Sequence, residues 1–351
     1  MNRQFEYTEA MNGLHFTEEQ KAAIAARAAE EARQQAQPRR TRRPIGRMAV
    51  IAACLAVVLT VGAGATGVLQ SAAEVLSPLF GGSPAQTEII DKIGYPVGAS
   101  DTDNGVTVTA DAVMGDAYNA VVVYTISRDD GTRLLPEGTE GDMLLVRGNG
   151  TDLNVLGGAH GGSHFVVEDP ASSSIQLVET ISADVPINDC TATGVFEDIC
   201  KWDEATGEAV PVIEGKWKVK FQMAYEDSSI ALGGGETFQQ GGMTFTIDTI
   251  TLSPVAYKVD YTVNSEVAWS DSGSGRQSEE DSIQMANYFE NVEILLTLTD
   301  GTVIDLSNAG GSIGPEDGVT VCSKGEMFSE IIPMEEMASI SVGGVTYDIQ
   351  Q

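Results

Sequence analysis

The sequence predicts a mainly β protein: a short N-terminal tail with one helix, one membrane-spanning helix, and two β-sandwich domains beyond it. Three observations carry this. Residues 48–73 are 26 consecutive positions without Asp, Glu, Lys, Arg or His. Beyond them the chain alternates apolar and polar residues with period two in run after run, the pattern of half-buried strands. A 23-residue strand–connection–strand pattern also recurs 137 residues further on, a separation of one domain length.

The tail, residues 1–47, carries nine basic and six acidic residues, a net of +3. Thr17-Glu18-Glu19-Gln20 reads as a capping box, with Gln20 reaching back to Thr17. Lys21 to Gln37 is rich in Ala, Glu, Gln and Arg, all good helix formers, and Pro38 closes the helix expected over 17–37. Leu14 and Phe16 would fold back on its first turn. With Ile24 they are the candidate partner-binding residues. A tail this short cannot bury a core of its own, so its helix is either solvated or held by a partner.

As a helix, the uncharged run would reach about 39 Å, against a bilayer hydrocarbon core of about 30 Å. Arg39, Arg40, Arg42, Arg43 and Arg47 precede it with no acidic residue among them. They are the topology determinants: positive charge stays inside, which puts the N-terminus in the cytoplasm and everything after about Glu74 outside. The expected location is the plasma membrane, single-pass, with the lipid bilayer as partner. A cleavable signal competes poorly, because 47 residues precede the run. A lipoprotein box at Ile51-Ala52-Ala53-Cys54 has too few apolar residues between Arg47 and Cys54.

Residues 74–84, ending in Gly81-Gly82-Ser83-Pro84, read as a linker, and the sandwiches are expected over 85–225 and 226–351. The strand-like runs are 106–110, 121–126, 216–223, 243–252, 255–263, 292–298 and 340–349, rich in Val, Ile, Thr, Tyr and Phe. Trp217 lies on what reads as the last strand of the first sandwich. Asp130-Gly131 and Asp300-Gly301 are hairpin-turn signals, Gly233-Gly234-Gly235 suits a boundary, and helical patterning is confined to about 278–290. The repeat aligns Asn104–Ile126 with Gly241–Val263 without a gap. It keeps Thr107/Thr244, Thr109/Thr246, Asp111/Asp248, Val122/Val259, Tyr124/Tyr261 and Thr125/Thr262. Val122 and Val259 are therefore expected in the two cores.

The chain after residue 47 holds 11 basic and 45 acidic residues, a net of −34, which excludes nucleic acid as a partner. Cationic partners or divalent ions are the alternatives to a simply solvated surface. Cys190 and Cys200 would close a short loop if they pair, and outside a membrane a disulfide persists. A pair and two free thiols both remain open. No Cys-x-x-Cys is present, so no zinc site is expected. His160 and His164 fall in a Gly-rich stretch read as a loop, where their spacing does not bring them to one face. Asp101-Thr102-Asp103-Asn104-Gly105 resembles the start of a calcium loop, but glycine stands fifth and Ala112 twelfth, so it reads as a turn before a strand. Gly310-Gly311-Ser312-Ile313-Gly314 matches Gly-x-Ser-x-Gly, yet Pro315-Glu316-Asp317-Gly318 follows where that motif needs a helix. No catalytic residue, metal ligand or cofactor is expected, and the chain reads as a non-enzyme.

Ile93–Ser100, Asn104–Val108 and Val121–Thr125 together resemble the bacterial domain-of-unknown-function family 4179. The resemblance implies a short cytoplasmic tail, one transmembrane helix and an exterior β domain. Residues 14–32 look like the helix that precedes the membrane segment in such proteins, and the second half is similar to an immunoglobulin-like domain often found C-terminal to it. On this likeness both sandwiches are expected to be immunoglobulin-like. Some members act as negative effectors of extracytoplasmic-function sigma factors. The resemblance thus implies an anti-sigma-factor-like regulator, with a cytoplasmic sigma factor and an unidentified extracytoplasmic ligand or protein as partners. The alternative is a surface-displayed binding or structural module of the envelope, in which the tail only sets topology. Residues 1–47 hold no Cys, so the His-x-x-x-Cys-x-x-Cys motif of zinc-type anti-sigma domains is absent and any such contact would use the 17–37 helix.

Overall fold

The computed structural model describes residues 71–139, 141–270 and 278–349, with Asp142 by its backbone alone. The 17–37 helix, Leu14, Phe16, Ile24, the five arginines and residues 48–70 lie outside the described residues. Among those described, no helix is long and apolar enough to cross a membrane.

The first described element begins at a cap. The Ser71 hydroxyl accepts the Glu74 N–H at 3.2 Å and the Glu74 carboxylate accepts the Ser71 N–H at 2.8 Å. This reciprocal box starts helix α1, Ala72–Phe80. Ser83 and Gln86 repeat the arrangement at α2, Pro84–Ile93, with Pro84 in the first turn. The expected linker over 74–84 is therefore corrected to a helix pair, and Ala72 and Ala73, expected to end the spanning segment, belong to α1. The Gly-Gly-Ser-Pro signal is a stop followed by a start. Val75, Leu76 and Phe80 are buried, so α1 is held by packing.

The rest is mainly β and antiparallel. A five-stranded sheet runs in the order β1 (Gly94–Asp103), β2 (Val106–Gly115), β3 (Asn119–Arg128), β6 (Ser174–Ala183), β5 (Ala159–Val166). It faces a three-stranded sheet of β4 (Leu144–Leu153), β7 (Thr191–Asp203) and β8 (Glu208–Gln222). Period two explains the facing: on β8, Ile213, Trp217, Val219 and Phe221 are buried while Lys216, Lys218 and Lys220 are exposed. Trp217 donates its indole N–H to the Val106 carbonyl at 2.9 Å, which satisfies the one polar atom it takes into the core.

A second pair of sheets follows. One contains β10 (Thr237–Gln240), β11 (Met243–Leu252), β12 (Ala256–Val263), β16 (Val319–Met327) and β15 (Gly311–Glu316), with β9 (Ile230–Leu232) also on β11. The other is β14 (Val303–Asp305), β13 (Ile294–Leu298), β17 (Met337–Val342) and β18 (Val345–Asp348). Helix α3, Glu279–Met285, capped by Ser278, continues into a π-helical turn, Ala286–Glu290, where helical patterning was expected. Tyr257, Tyr261 and Phe245 are buried between the two sheets.

The repeat is structural. The bounds of β2 and of β11 differ by 137, and both strands break register at the aligned aspartate, Asp111 in one and Asp248 in the other. At the second bulge the Asp248 carboxylate accepts a hydrogen bond from the aligned Thr262 at 2.7 Å, whereas at the first the Oδ2 atom of Asp111 is buried without a partner. Val122 and Val259 are fully buried in their respective cores.

Other sequence readings change. Asp300-Gly301 does join paired strands, β13 and β14, whereas Asp130-Gly131 follows β3, whose partner is β6. The run 340–349 folds back at Gly343-Gly344 to give β17 and β18. Both glycines have positive φ, 56° and 83°, which such a turn requires. Gly233–Gly235 lies between β9 and β10, inside the second sandwich.

The candidate disulfide is contradicted. Cys190, Cys200 and Cys322 are free thiols. Cys190 just precedes β7 and Cys200 lies ten residues along it, so at about 3.3 Å per residue roughly 30 Å separates them, and a disulfide needs Cα atoms within about 7 Å. The loop that pairing would close is instead most of strand β7, Thr191–Asp203.

Candidate functional site

The two sandwiches meet on a third core. The outer face of the β1–β5 sheet presents Ala112, Met114, Val121, Val123 and Val178, and against it lie Val75, Leu76 and Phe80 of α1 with Val255, Ala256 and Ile331 of the second sandwich. Polar contacts fix this seam. The Ser253 hydroxyl donates to Asp116 at 2.7 Å, both residues fully buried, and these are aligned positions of the repeat. Burial pushes the Asp116 carboxyl up, while Ser253, Tyr118 and Asn119 donate to it and oppose that shift. The Ile331 N–H donates to the Phe80 carbonyl at 3.2 Å and the Gln86 side-chain amide to the Ile331 carbonyl at 3.1 Å. Lys258, paired with Asp260, stands 4.7 Å from the Tyr118 ring centre.

Beside the seam opens a cleft of about 1100 Å³. One wall is the outer face of β5 and β6. His160, Gly162 and His164 alternate along β5 opposite Ser182, Thr180 and Val178 of β6. Because β5 is a strand, residues four apart share a face. The reading of His160 and His164 as a loop pair on different faces is corrected: both line the cleft. The Nε2 atom of His160 is buried with no hydrogen-bond partner. The opposite wall comes from the end of β16, the segment to Pro333 and the β13–β14 hairpin. Its carboxylates are Asp305, Glu326, Glu330 and Glu336. Burial raises the Glu326 carboxyl above its ordinary value, with His160 and Lys324 acting the other way. The end of α1 closes one side through Leu79 and Phe80.

Two motifs weighed in the sequence have structural uses. Asp101 and Asp103 accept the main-chain N–H groups of Lys218 and Lys216 at 2.8 and 2.9 Å. The calcium-like turn therefore ties the edge of β8 to β1, with positive φ at Asn104 and Gly105. Gly311–Glu316 is strand β15, so Ser312 has no helix behind it; its hydroxyl donates to Asp184 at 3.1 Å. No group of three or more His, Cys, Asp or Glu among the described residues could hold a metal ion. The cleft offers apolar surface, carboxylates and two imidazoles.

Residues 40–128, from the arginine cluster to the end of β3, match the family model described as "Domain of unknown function (DUF4179)", the family that the motifs in 93–125 resemble. No curated protein matches the chain. Among solved structures the chain is similar to "The crystal structure of the conserved domain protein from Bacillus anthracis". The two share 17% identity at a TM-score of 0.46, over 71% of this chain and 76% of that one.

Proposed function

We propose that the protein is a non-enzymatic, single-pass membrane regulator, anti-sigma-factor-like, whose two immunoglobulin-like sandwiches lie outside the cell and receive a signal at the cleft between them. What supports the reading is the position of α1. The last three residues of the uncharged run, Ser71 to Ala73, are the cap and the start of α1. That helix lies in the core joining the two sandwiches and edges the cleft. A ligand that alters the cleft then acts on the segment continuous with the membrane span. A surface-displayed module needs no such connection. In this reading Arg39, Arg40, Arg42, Arg43 and Arg47 hold the N-terminus in the cytoplasm. The 17–37 helix meets a sigma factor there through Leu14, Phe16 and Ile24.

Two measurements test it. Protease added to intact protoplasts should digest the sandwiches and spare a tag at Met1; loss of the tag would sink the topology. Phe16→Asp with Ile24→Asp removes the apolar anchors that a groove-bound helix needs. It should change the same transcripts as deletion of the whole protein while insertion stays intact. Wild-type transcripts in that variant would leave the surface-displayed module as the reading.

A further inference from the structure

We infer that the cleft binds a cationic peptide segment, held extended along the free edge of β5. This rests on the reading of the cleft as the receiving site and gives its ligand a chemical class. The first argument is charge. Asp305, Glu326, Glu330 and Glu336 line the cleft, and among the described residues no Lys or Arg does. The surrounding chain carries a net charge of −34 after residue 47, so anionic ligands are repelled and cationic ones steered in.

The second argument separates a peptide from a metal ion. The carboxylates do not converge with any other ligand into a group that could hold an ion. They are spread over the β13–β14 hairpin, β16 and the segment after it. Spread charges suit several cations spaced along a chain. The wall between them is apolar, with Phe80, Val178 and Ile331 buried and Met327 partly so. The ligand should therefore alternate cationic and apolar side chains.

The third argument is the backbone. β5 ends its sheet, with β6 on one side only, and Gly161, Gly162, Ser163 and His164 are exposed. An exposed edge offers unpaired N–H and C=O groups to an added strand. The absent side chain at Gly162 leaves open space, with nothing nearer than the Thr180 hydroxyl at 4.0 Å from where a Cβ would stand. An extended peptide has period two, so alternate side chains turn into the cleft toward the carboxylates of the opposite wall.

The test uses the full chain in non-ionic detergent and a fluorescein-labelled octapeptide of alternating lysine and leucine, read by anisotropy. Saturable binding is expected, with none for the glutamate–leucine counterpart. Glu326→Gln with Glu330→Gln should weaken binding about tenfold. Asp203→Asn with Glu204→Gln, which removes equal charge at the β7–β8 turn, should leave it within about twofold. Equal losses from both pairs would mean that the peptide reads surface charge alone, and no loss from the first pair would place it elsewhere; either overturns the proposal. Displacement by calcium chloride beyond that by sodium chloride of equal ionic strength would replace the peptide with a divalent ion. Undiminished binding of the same peptide with alternate main-chain nitrogens methylated would overturn the added-strand geometry. Peptide binding without any transcript response would retain this ligand and remove the regulator reading. Absent binding, where deletion still changes transcripts, would remove the ligand alone.

Discussion

Ser253→Ala should destabilise the protein by about 2–4 kcal/mol, most of it at the seam between the sandwiches. The Ser253 hydroxyl donates to Asp116 Oδ2 at 2.7 Å, and a hydrogen bond to a charged group contributes about 1.5–3 kcal/mol. It also accepts the Val255 and Ala256 N–H groups at 3.2 and 3.0 Å, which lose that acceptor. Asp116 keeps its other donors, the Tyr118 and Asn119 main-chain N–H groups and the Asn119 amide, all on Oδ1. The variant therefore leaves one carboxylate oxygen buried and unpaired. Urea unfolding of residues 71–351, followed by circular dichroism, gives the total, and a cycle with Asp116→Ala isolates the pair. A coupling of about 1.5–3 kcal/mol is expected; a value under about 0.5 kcal/mol would refute the claim that the pair joins the sandwiches. The pH dependence has a definite sign. The hydroxyl stabilises the ionised carboxylate, whose burial pushes its pKa up. The cost of Ser253→Ala should therefore grow as pH rises through the titration of Asp116, and a cost independent of pH would mean that the carboxyl does not titrate in that range.

Residues 85–351 should be markedly less stable than residues 71–351, because only the longer fragment keeps α1. Within it Leu76→Ala, at a fully buried position, should cost about 2–5 kcal/mol in the same urea assay. Asp111 should make stability fall with pH. Burial raises its carboxyl from 3.8 to about 6, with Thr125 acting the other way. The unfolded chain then loses this proton first, and its contribution is complete below about pH 4 and is lost by about pH 6, a swing of roughly 3 kcal/mol. Asp111→Asn should flatten that window in melts taken from pH 4 to 7. Val122→Asp and Val259→Asp each place an unpaired charge in a core and should cost several kcal/mol. An unchanged melting temperature in either would show that position to be solvated.

The strands legible in the sequence include β8, which has a wet face, and β3 and β12, which are buried almost throughout but belong to the repeat. β8 alternates buried apolar residues with lysines, and β2 with β3 announced themselves through the repeat. Three strands outside the sequence reading, β1, β5 and β7, break the pattern for identifiable reasons. In β5, Ala-His-Gly-Gly-Ser-His-Phe-Val, five of the eight residues are glycine, serine or histidine, because it is an edge strand beside a cleft. β1 carries Gly, Ser and three Thr or Asp residues over Gly98–Asp103 because two of its carboxylates tie down β8. β7 holds Asp198 at φ 52° within a register break, which reads as a turn. In each case the local residue preference yields to a tertiary contact, and it does so where the residue has a second task.

The same logic bears on why the cleft was only half legible. The two histidines drew attention by their spacing, but their face depended on whether the segment was a strand, and glycine argues against one. The carboxylates gave no signal, since Asp305, Glu326, Glu330 and Glu336 are a few of many acids in a strongly acidic chain. What singles them out is the seam. Aligned positions Asp116 and Ser253 meet in the interior, α1 fills the angle between the sandwiches, and the strands flanking that angle turn a generally acidic surface into a concave one with apolar walls. The repeat was visible in the sequence, but it does not reveal that its two copies pack against each other. That contact makes the cleft, whose walls come from both sandwiches. The Asp116–Ser253 pair and the cleft should therefore be coupled. Ser253→Ala, which leaves every lining residue in place, should weaken lysine–leucine peptide binding at neutral pH, whereas Val259→Ala, equally buried in the second core but away from the seam, should not. Equal effects from both would show that the cleft belongs to the second sandwich alone.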